Sequence, residues 1–339
     1  MPLKNYGVLV GRVVDSRAEG GADTPHFQVH VRAADIDYRI AVNVLSSETP
    51  SELLYHADEH FSHPLLAQLP ALPDGVSVVP SVPAGVALDF IRGNLFDRAE
   101  MKVMPATAPG PDNDLADKLA HYVERATADA DARMYAFGER WGPEEDKPDK
   151  IFGFQPGNGV HDIHMNQGNS GQFVRDDAVW QDGGLLLHFP GSDQWVAIFL
   201  AFQGQKWHTD DVTGHTIVEE GGPANAASAT EPDHRMRIVA ALVNPIGPAP
   251  ESETVTLINP GPDPVDLTGW SLVDRQQRVM ALDPAVIGPG DAVRLALAVP
   301  VQLGNSGGLL SLLDPDGLKV DGIAYTREQV RDEGRTLIF

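Results

Sequence analysis

The densest chemistry in the sequence lies in His161-Asp162-Ile163-His164-Met165-Asn166-Gln167-Gly168-Asn169, two imidazoles, a carboxylate and three amides in nine residues. Pro156, Gly157, Asn158 and Gly159 precede it, a composition that lets backbone approach a ligand closely. Imidazole titrates near neutrality and binds divalent metals in its neutral form. On a helix His161 and His164 would share a face. On a strand, which the glycines and Ile163 favour, Asp162 and His164 share one face and His161 points away. A second polar set follows the apolar run 195–202, in Gln203-Gly204-Gln205-Lys206-Trp207-His208-Thr209-Asp210-Asp211. Val196, Ile198, Leu200 and Phe202 alternate onto one strand face, so this strand would deliver Gln203, Gln205, His208 and Asp210 to a site at its end. A metal held by His161 and His164 needs a third ligand, for which His208 or Asp210 is the candidate. The chain has no cysteine, so any such site must use imidazole, carboxylate and amide groups.

Other residues carry weaker signals. Arg39 and Arg92 lie in or near apolar strands, where a guanidinium must be paired: with substrate phosphate or carboxylate, or with an internal carboxylate such as Asp89. His26, Gln28 and His30 share one strand face and read as a solvated face. His56, His60 and His63 read as a surface turn or helix, and His188 as a sheet histidine. No P-loop, dinucleotide fingerprint or G-x-S-x-G elbow is present, which disfavours kinase and nucleotide-dependent redox chemistry and implies no nucleotide cofactor.

The elements that must position these groups are mainly strands. Alternating or β-branched stretches predict strands at 6–14, 26–31, 38–44, 86–91, 150–154, 185–189 and 195–202, with one main helix over 113–131. The N-terminal part is therefore a β-rich barrel or curved sheet. From 236 onward, short strands at 236–243, 253–258, 270–273, 292–298, 309–313 and 319–325 are separated by Asn-Pro, Gly-Pro-Gly and Asp-Gly turns, the pattern of a β-sandwich. Between them, 219–234 is small, polar and without hydrophobic period, a linker between domains at 1–218 and 235–339. All 12 histidines precede residue 235, and the formal charge of −23 divides as −19 before that point and −4 after it. An acidic surface disfavours extended nucleic acid. The start of the chain has no secretory apolar region and its longest apolar run is eight residues, so no membrane span is expected and a cytoplasmic location is the default, with signal-less export open.

Two resemblances overlie these readings. Glu253-Thr254-Val255-Thr256-Leu257-Ile258-Asn259, Leu267-Thr268-Gly269-Trp270 and Leu303-Gly304-Asn305-Ser306-Gly307-Gly308 resemble a lamin-tail domain over about 235–328, which implies an immunoglobulin-like sandwich and the company of a nuclease, phosphoesterase or surface hydrolase. Trp270 is then a core anchor, and Asp274, Asp314 and Asp316 turn residues. Pro2-Leu3-Lys4-Asn5-Tyr6-Gly7-Val8-Leu9, Arg39-Ile40-Ala41-Val42-Asn43-Val44 and the 157–169 segment resemble the bacterial YukJ-like proteins over about 1–215, a resemblance that implies a family but no mechanism.

The reading that follows is a hydrolase acting on small or short phosphoesters, a phosphodiesterase or nuclease-like enzyme that a divalent metal could assist. His161 or His164 would act as base or metal ligand and Asp162 would orient an imidazole. Asn166, Gln167, Asn169, Gln203 and Gln205 would hold substrate, and Arg39 or Arg92 would stabilise anionic charge. The alternative is a non-catalytic carbohydrate- or peptide-binding adaptor, with a protein partner on the C-terminal sandwich. It is favoured by the excess of amides over titratable groups.

Overall fold

A computed structural model describes residues 6–19, 26–44, 53–79, 85–88, 93–97, 100–103, 105, 108–111, 113–162, 183–202, 235–247, 252–317 and 319–339. Strands β1 (Tyr6–Ala18), β2 (His26–Ala33) and β3 (Ile36–Asn43) form an antiparallel meander. Their period-2 patterns turn Phe27, Val29, Val31, Ile40 and Val42 inward, all of them buried. Next come β4 (Leu53–Asp58), β5 (Gly75–Val78), β6 (Lys102–Val103), helix α1 (Leu115–Ala128), β7 (Arg133–Glu144), β8 (Gly157–Asp162), β9 (Gly183–Phe189) and β10 (Gln194–Phe202).

The strands β1-β2-β3-β8-β7 close into a ring through a further β1–β7 pairing. Closure works because β1 is long and serves two neighbours within the ring, while β5 pairs with its first half from outside the ring. Its first half, from Tyr6 to Gly11, pairs with β7, and its second half, from Arg12 onward, pairs with β2. A bulge between Val13 and Asp15 bends the strand as it passes from one neighbour to the other. The β3–β8 pairing is parallel and the rest of the ring is antiparallel. A five-stranded Greek-key ring with its helix between the third and fourth barrel strands has the topology of an OB-type barrel. Asp114 caps α1 by accepting from the Asp117 amide at 2.8 Å, and Leu115, Leu119, Tyr122, Val123 and Ala126 enter the barrel core at helical spacing.

The sheet continues from β7 through β9-β10-β4-β6. A second core lies outside the ring, where Tyr6, Val8, Val10, Tyr135 and Phe137 meet Phe61, Leu65, Leu69 and Phe199. The expected helix at 113–131 is shorter, the strand expected at 150–154 is absent, and the strand expected at 86–91 lies only partly within the described residues. Residues 85–88 form a bend, and 89–92 lie outside the described residues. Residues 150–154 form a turn, because Asp149 takes their amides (below).

The C-terminal region holds β11 (Arg237–Leu242), β12 (Thr254–Ile258), β13 (Val265–Asp266), β14 (Ser271–Asp274), β15 (Val279–Ala281), β16 (Val286–Ile287), β17 (Ala292–Ala296), β18 (Gly307–Leu313), β19 (Lys319–Thr326) and β20 (Thr336–Ile338). Two four-stranded sheets, β17-β12-β11-β20 and β15-β14-β18-β19, share one core around Trp270, with β13 and β16 as a separate pair. The architecture is mainly β in both halves. Asp274 organises its turn by accepting from the Gln276 and Arg278 amides at 2.9 and 3.1 Å. The expected linker at 219–234 lies outside the described residues. No helix among the described residues is long and apolar enough to cross a membrane, which says nothing of spans made by strands.

Candidate functional site

The barrel flank formed by β2, β3 and β8 turns polar and ring-bearing side chains outward. The register aligns His30, Arg39, Gly159 and Trp141 in one row across β2, β3, β8 and β7, and Gln28, Ala41, His161 and Glu139 in the next. A Cβ on Gly159 would collide with the Trp141 ring and the Arg39 carbonyl, so glycine is what lets the indole lie across the flank. Arg39 packs under that indole, its guanidinium carbon 4.8 Å from the ring centroid.

Arg39 is 5% exposed and fully engaged on one side: its Nε donates to Asp149 at 2.6 Å and its Nη1 to Gln28 Oε1 at 2.8 Å. Asp149 belongs to the connection between β7 and β8. Its other oxygen accepts from the Ile151 and Phe152 amides at 3.0 and 2.8 Å, and its amide donates to the Phe154 carbonyl at 2.7 Å. One carboxylate thus closes the turn and anchors it to the flank, since a buried guanidinium requires such a partner. The turn lays Phe152 and Phe154 over His30, with ring centroids 5.0 and 5.3 Å away, and Arg17 over Phe152 at 4.9 Å.

Next to this covered part, His26, His161 and Trp141 form a looser cluster, with His26–His161 centroids 6.0 Å apart and Trp141–His161 centroids 6.5 Å apart. Two buried donors of the flank, Gln28 Nε2 and Trp141 Nε1, have no hydrogen-bond partner among the described residues. Three guanidinium groups are already matched, Arg17 with Asp15 at 3.2 Å, Arg32 with Asp37 at 2.9 Å and Arg39 with Asp149, and the rings of His26 and His30 lie 3.3 and 2.9 Å from the Glu19 and Asp37 carboxylates. Such a flank sets ring planes beside guanidinium groups that are already paired.

Of the residues singled out in the sequence, Arg39 and His161 meet on this flank. Arg39 is held in an internal pair rather than presented to a substrate anion. Asp162 belongs to β8, but its side chain lies outside the described residues. So do His164, Asn166, Gln167, Asn169, Arg92, Gln203, Gln205, His208 and Asp210. Among the described residues no three His, Asp or Glu side chains could hold one metal ion. The solvated face expected for His26, Gln28 and His30 is corrected: Gln28 is 0% exposed and accepts from Arg39, and Phe152 and Phe154 of the β7–β8 turn stack on His30. Trp141, Asp149, Phe152 and Phe154 escape sequence reading, since they gain meaning only when β8 pairs with β3.

Three further histidines, His56, His63 and His188, are built into the packing. His56 lies in β4 rather than a surface turn or helix, stacked on Phe96 at 4.7 Å, and burial lowers its pKa against the pull of Glu100 and Asp58. His63 is buried: its Nδ1 accepts from the Leu65 amide at 3.1 Å and its Nε2–H donates to the Gly93 carbonyl at 2.9 Å. Burial pushes it down to about 4, opposed by the Gly93 carbonyl and assisted by the Arg275 charge. His188, in β9, stacks on Trp195 at 4.2 Å, and burial lowers its pKa against Asp193.

Comparison with known proteins covers this half of the chain. Residues 1–214 match the family model described as "Uncharacterized conserved protein (DUF2278)". Over 214 residues the chain is 46% identical to "Uncharacterized protein YukJ" of Bacillus subtilis (strain 168), a match spanning 62% of this chain and 93% of that protein. The matched region carries the barrel, its second core and the ring-bearing flank, and the C-terminal sheets lie beyond it. The chain therefore belongs to the DUF2278 family.

Proposed function

We propose that the barrel is a binding module that takes a neutral, hydroxyl-rich ligand, a short oligosaccharide, on the outer flank of β2, β3 and β8. The observation that carries this reading is the pairing of exposed or half-covered rings with cations that are already neutralised. Trp141 offers a plane for the apolar face of a sugar ring, and its unpartnered Nε1–H, at the edge of that plane, asks for an acceptor oxygen such as a hydroxyl. OB-type barrels use this flank and the adjoining loops for oligonucleotides and oligosaccharides. Fold analogy alone does not choose between them. Phosphate backbones need unpaired Lys and Arg, whereas Arg17, Arg32 and Arg39 here each face a carboxylate and residues 1–234 carry −19. The test is a calorimetric screen of the full chain against neutral oligosaccharides and single-stranded oligonucleotides, repeated with Trp141→Ala. Binding of a neutral oligosaccharide that the variant loses supports the reading. Binding of oligonucleotides alone removes it.

A hydrolytic reading on the same flank rests on one feature, the adjacent imidazoles His26 and His161, which could divide acid and base roles on a short phosphoester. A divalent metal on His161 with His164 and His208 belongs to that reading. Turnover of a phosphodiester, sensitive to chelator and lost in His161→Ala, would favour it. No turnover with any phosphodiester, with or without added metal, would remove it.

We also infer that the C-terminal sandwich is a lamin-tail module. Support comes from the Leu267-Thr268-Gly269-Trp270 step, where Gly269 turns with φ +83° and delivers Trp270 to the core. A crystal structure of the full chain with a different strand order there would overturn this.

A further inference from the structure

The two halves of the chain meet at a contact that is built rather than incidental. Asn94 adopts a left-handed backbone, φ +50°, and is only 8% exposed. Its Nδ2 donates to the Leu310 carbonyl at 3.2 Å and the Ile323 carbonyl at 3.0 Å. Those residues face each other across β18 and β19, so both hydrogens of one amide are used on a single strand pair. The neighbouring residue of β19 is Gly322. A Cβ there would collide with the Asn94 side chain, so the amide fills the space that any other residue would claim. Beside this contact Asp97 meets Arg237 of β11 at 2.9 Å. Leu309 joins His63, Leu65 and Leu95 around a small cavity.

Both partners are shaped for the meeting. A strand of a two-sheet sandwich normally alternates buried and exposed residues, yet every residue of β18 is buried. Leu310 and Leu312 enter the sandwich core, and Leu309 and Ser311 are buried on the opposite face. On the barrel side, His63 holds the Gly93 carbonyl with its Nε2–H and so fixes the residue next to Asn94.

We infer that Gly93, Asn94 and Asp97 form a docking knob of the barrel half. Its partner is this chain's own C-terminal sandwich, seated over the gap that Gly322 leaves. The two halves are then one permanent body and not beads on a tether. This inference stands apart from the choice of ligand for the barrel flank.

The test is 15N relaxation of the full chain, which reads the rotational correlation time of each half separately. The expected result is one shared correlation time in the wild type. Asn94→Ala and Gly322→Val should split it into two shorter ones. Asp97→Arg and Arg237→Asp should each loosen the contact, and the double reversal should restore most of the shared time. Asn94→Ala alters no residue of the sandwich, so it keeps the test clean if Gly322→Val unfolds β19. Two independent correlation times in the wild type would overturn the inference, as would a double reversal no closer to wild type than either single change.

Discussion

The barrel has two outer flanks built on the same strand alternation, and they are put to opposite use. On the β1–β7 flank the outward residues are Tyr6, Val8, Val10, Tyr135 and Phe137, sealed under Phe61, Leu65 and Phe199. On the β2–β3–β8 flank they are His26, Gln28, His30, Arg39 and His161, partly covered by a turn whose anchor is a carboxylate. Burial of apolar surface accounts for the first flank, at roughly 25 cal/mol per Å2. The second gains little by its burial, because desolvating Arg39 and Asp149 consumes most of what their attraction returns. On the second flank the buried polar groups position rings instead of adding apolar burial.

Substitutions on the two flanks should separate those uses. The largest effect is expected from Phe137→Ala. It opens a cavity between the ring and the second core and should cost about 3–5 kcal/mol in urea unfolding, with binding by the surviving folded protein unchanged. Arg39→Met strands the Asp149 carboxylate and should cost about 3 kcal/mol or more, while adding Asp149→Asn, which removes the charge and keeps an acceptor for the turn amides, should recover part of the loss in stability. Recovery of stability without recovery of ligand binding would mark the pair as a device for the site.

A third effect is set by pH and belongs to neither flank. His63 titrates at about 4 in the folded chain and near 6.5 unfolded, so the unfolded state binds its proton more readily. Its contribution is fully present above about 6.5 and is lost as pH falls from there towards 4, by about 3 kcal/mol in all. Urea midpoints measured across that window should fall with acidification, and His63→Gln should flatten the slope. Trp141→Ala should cost about 1–2 kcal/mol of stability, since the ring lies over Arg39 at the barrel surface and outside both hydrophobic cores, but weaken ligand binding tenfold or more in calorimetry. Arg32→Gln should change stability by less than about 1 kcal/mol, because its pair with Asp37 is largely in water.

The same two flanks explain what could be read from the residues alone. Strands β2 and β3 declare themselves, because one face is apolar and the other is not. Strand β7 does not: Met134, Tyr135, Ala136 and Phe137 are all buried, between the barrel core on one side and the second core on the other, so no period survives. Residues 157–159 look like loop because glycine dominates them, although Gly159 is a strand residue that clears room for Trp141. Ile151, Phe152 and Phe154 look like strand because they are apolar, although Asp149 folds them into a turn. Arg39 and His161 stand out by type. Their neighbours Trp141, Gln28 and Asp149 become a site only through the β3–β8 pairing, a contact between residues more than a hundred positions apart. The sandwich is the easier half, since its strands are short and the turns between them are rich in Gly, Pro and Asn.

The indole N–H of Trp141 gives the most direct test of the central claim, because it is a buried donor without an acceptor among the described residues. Its 1H–15N resonance can be followed while neutral oligosaccharides are titrated into the full chain at low and high salt. The expected result is a downfield, saturable shift that persists at high salt, since no phosphate contact is involved. A resonance that no neutral oligosaccharide moves, or that only polyanions move and high salt abolishes, would contradict it.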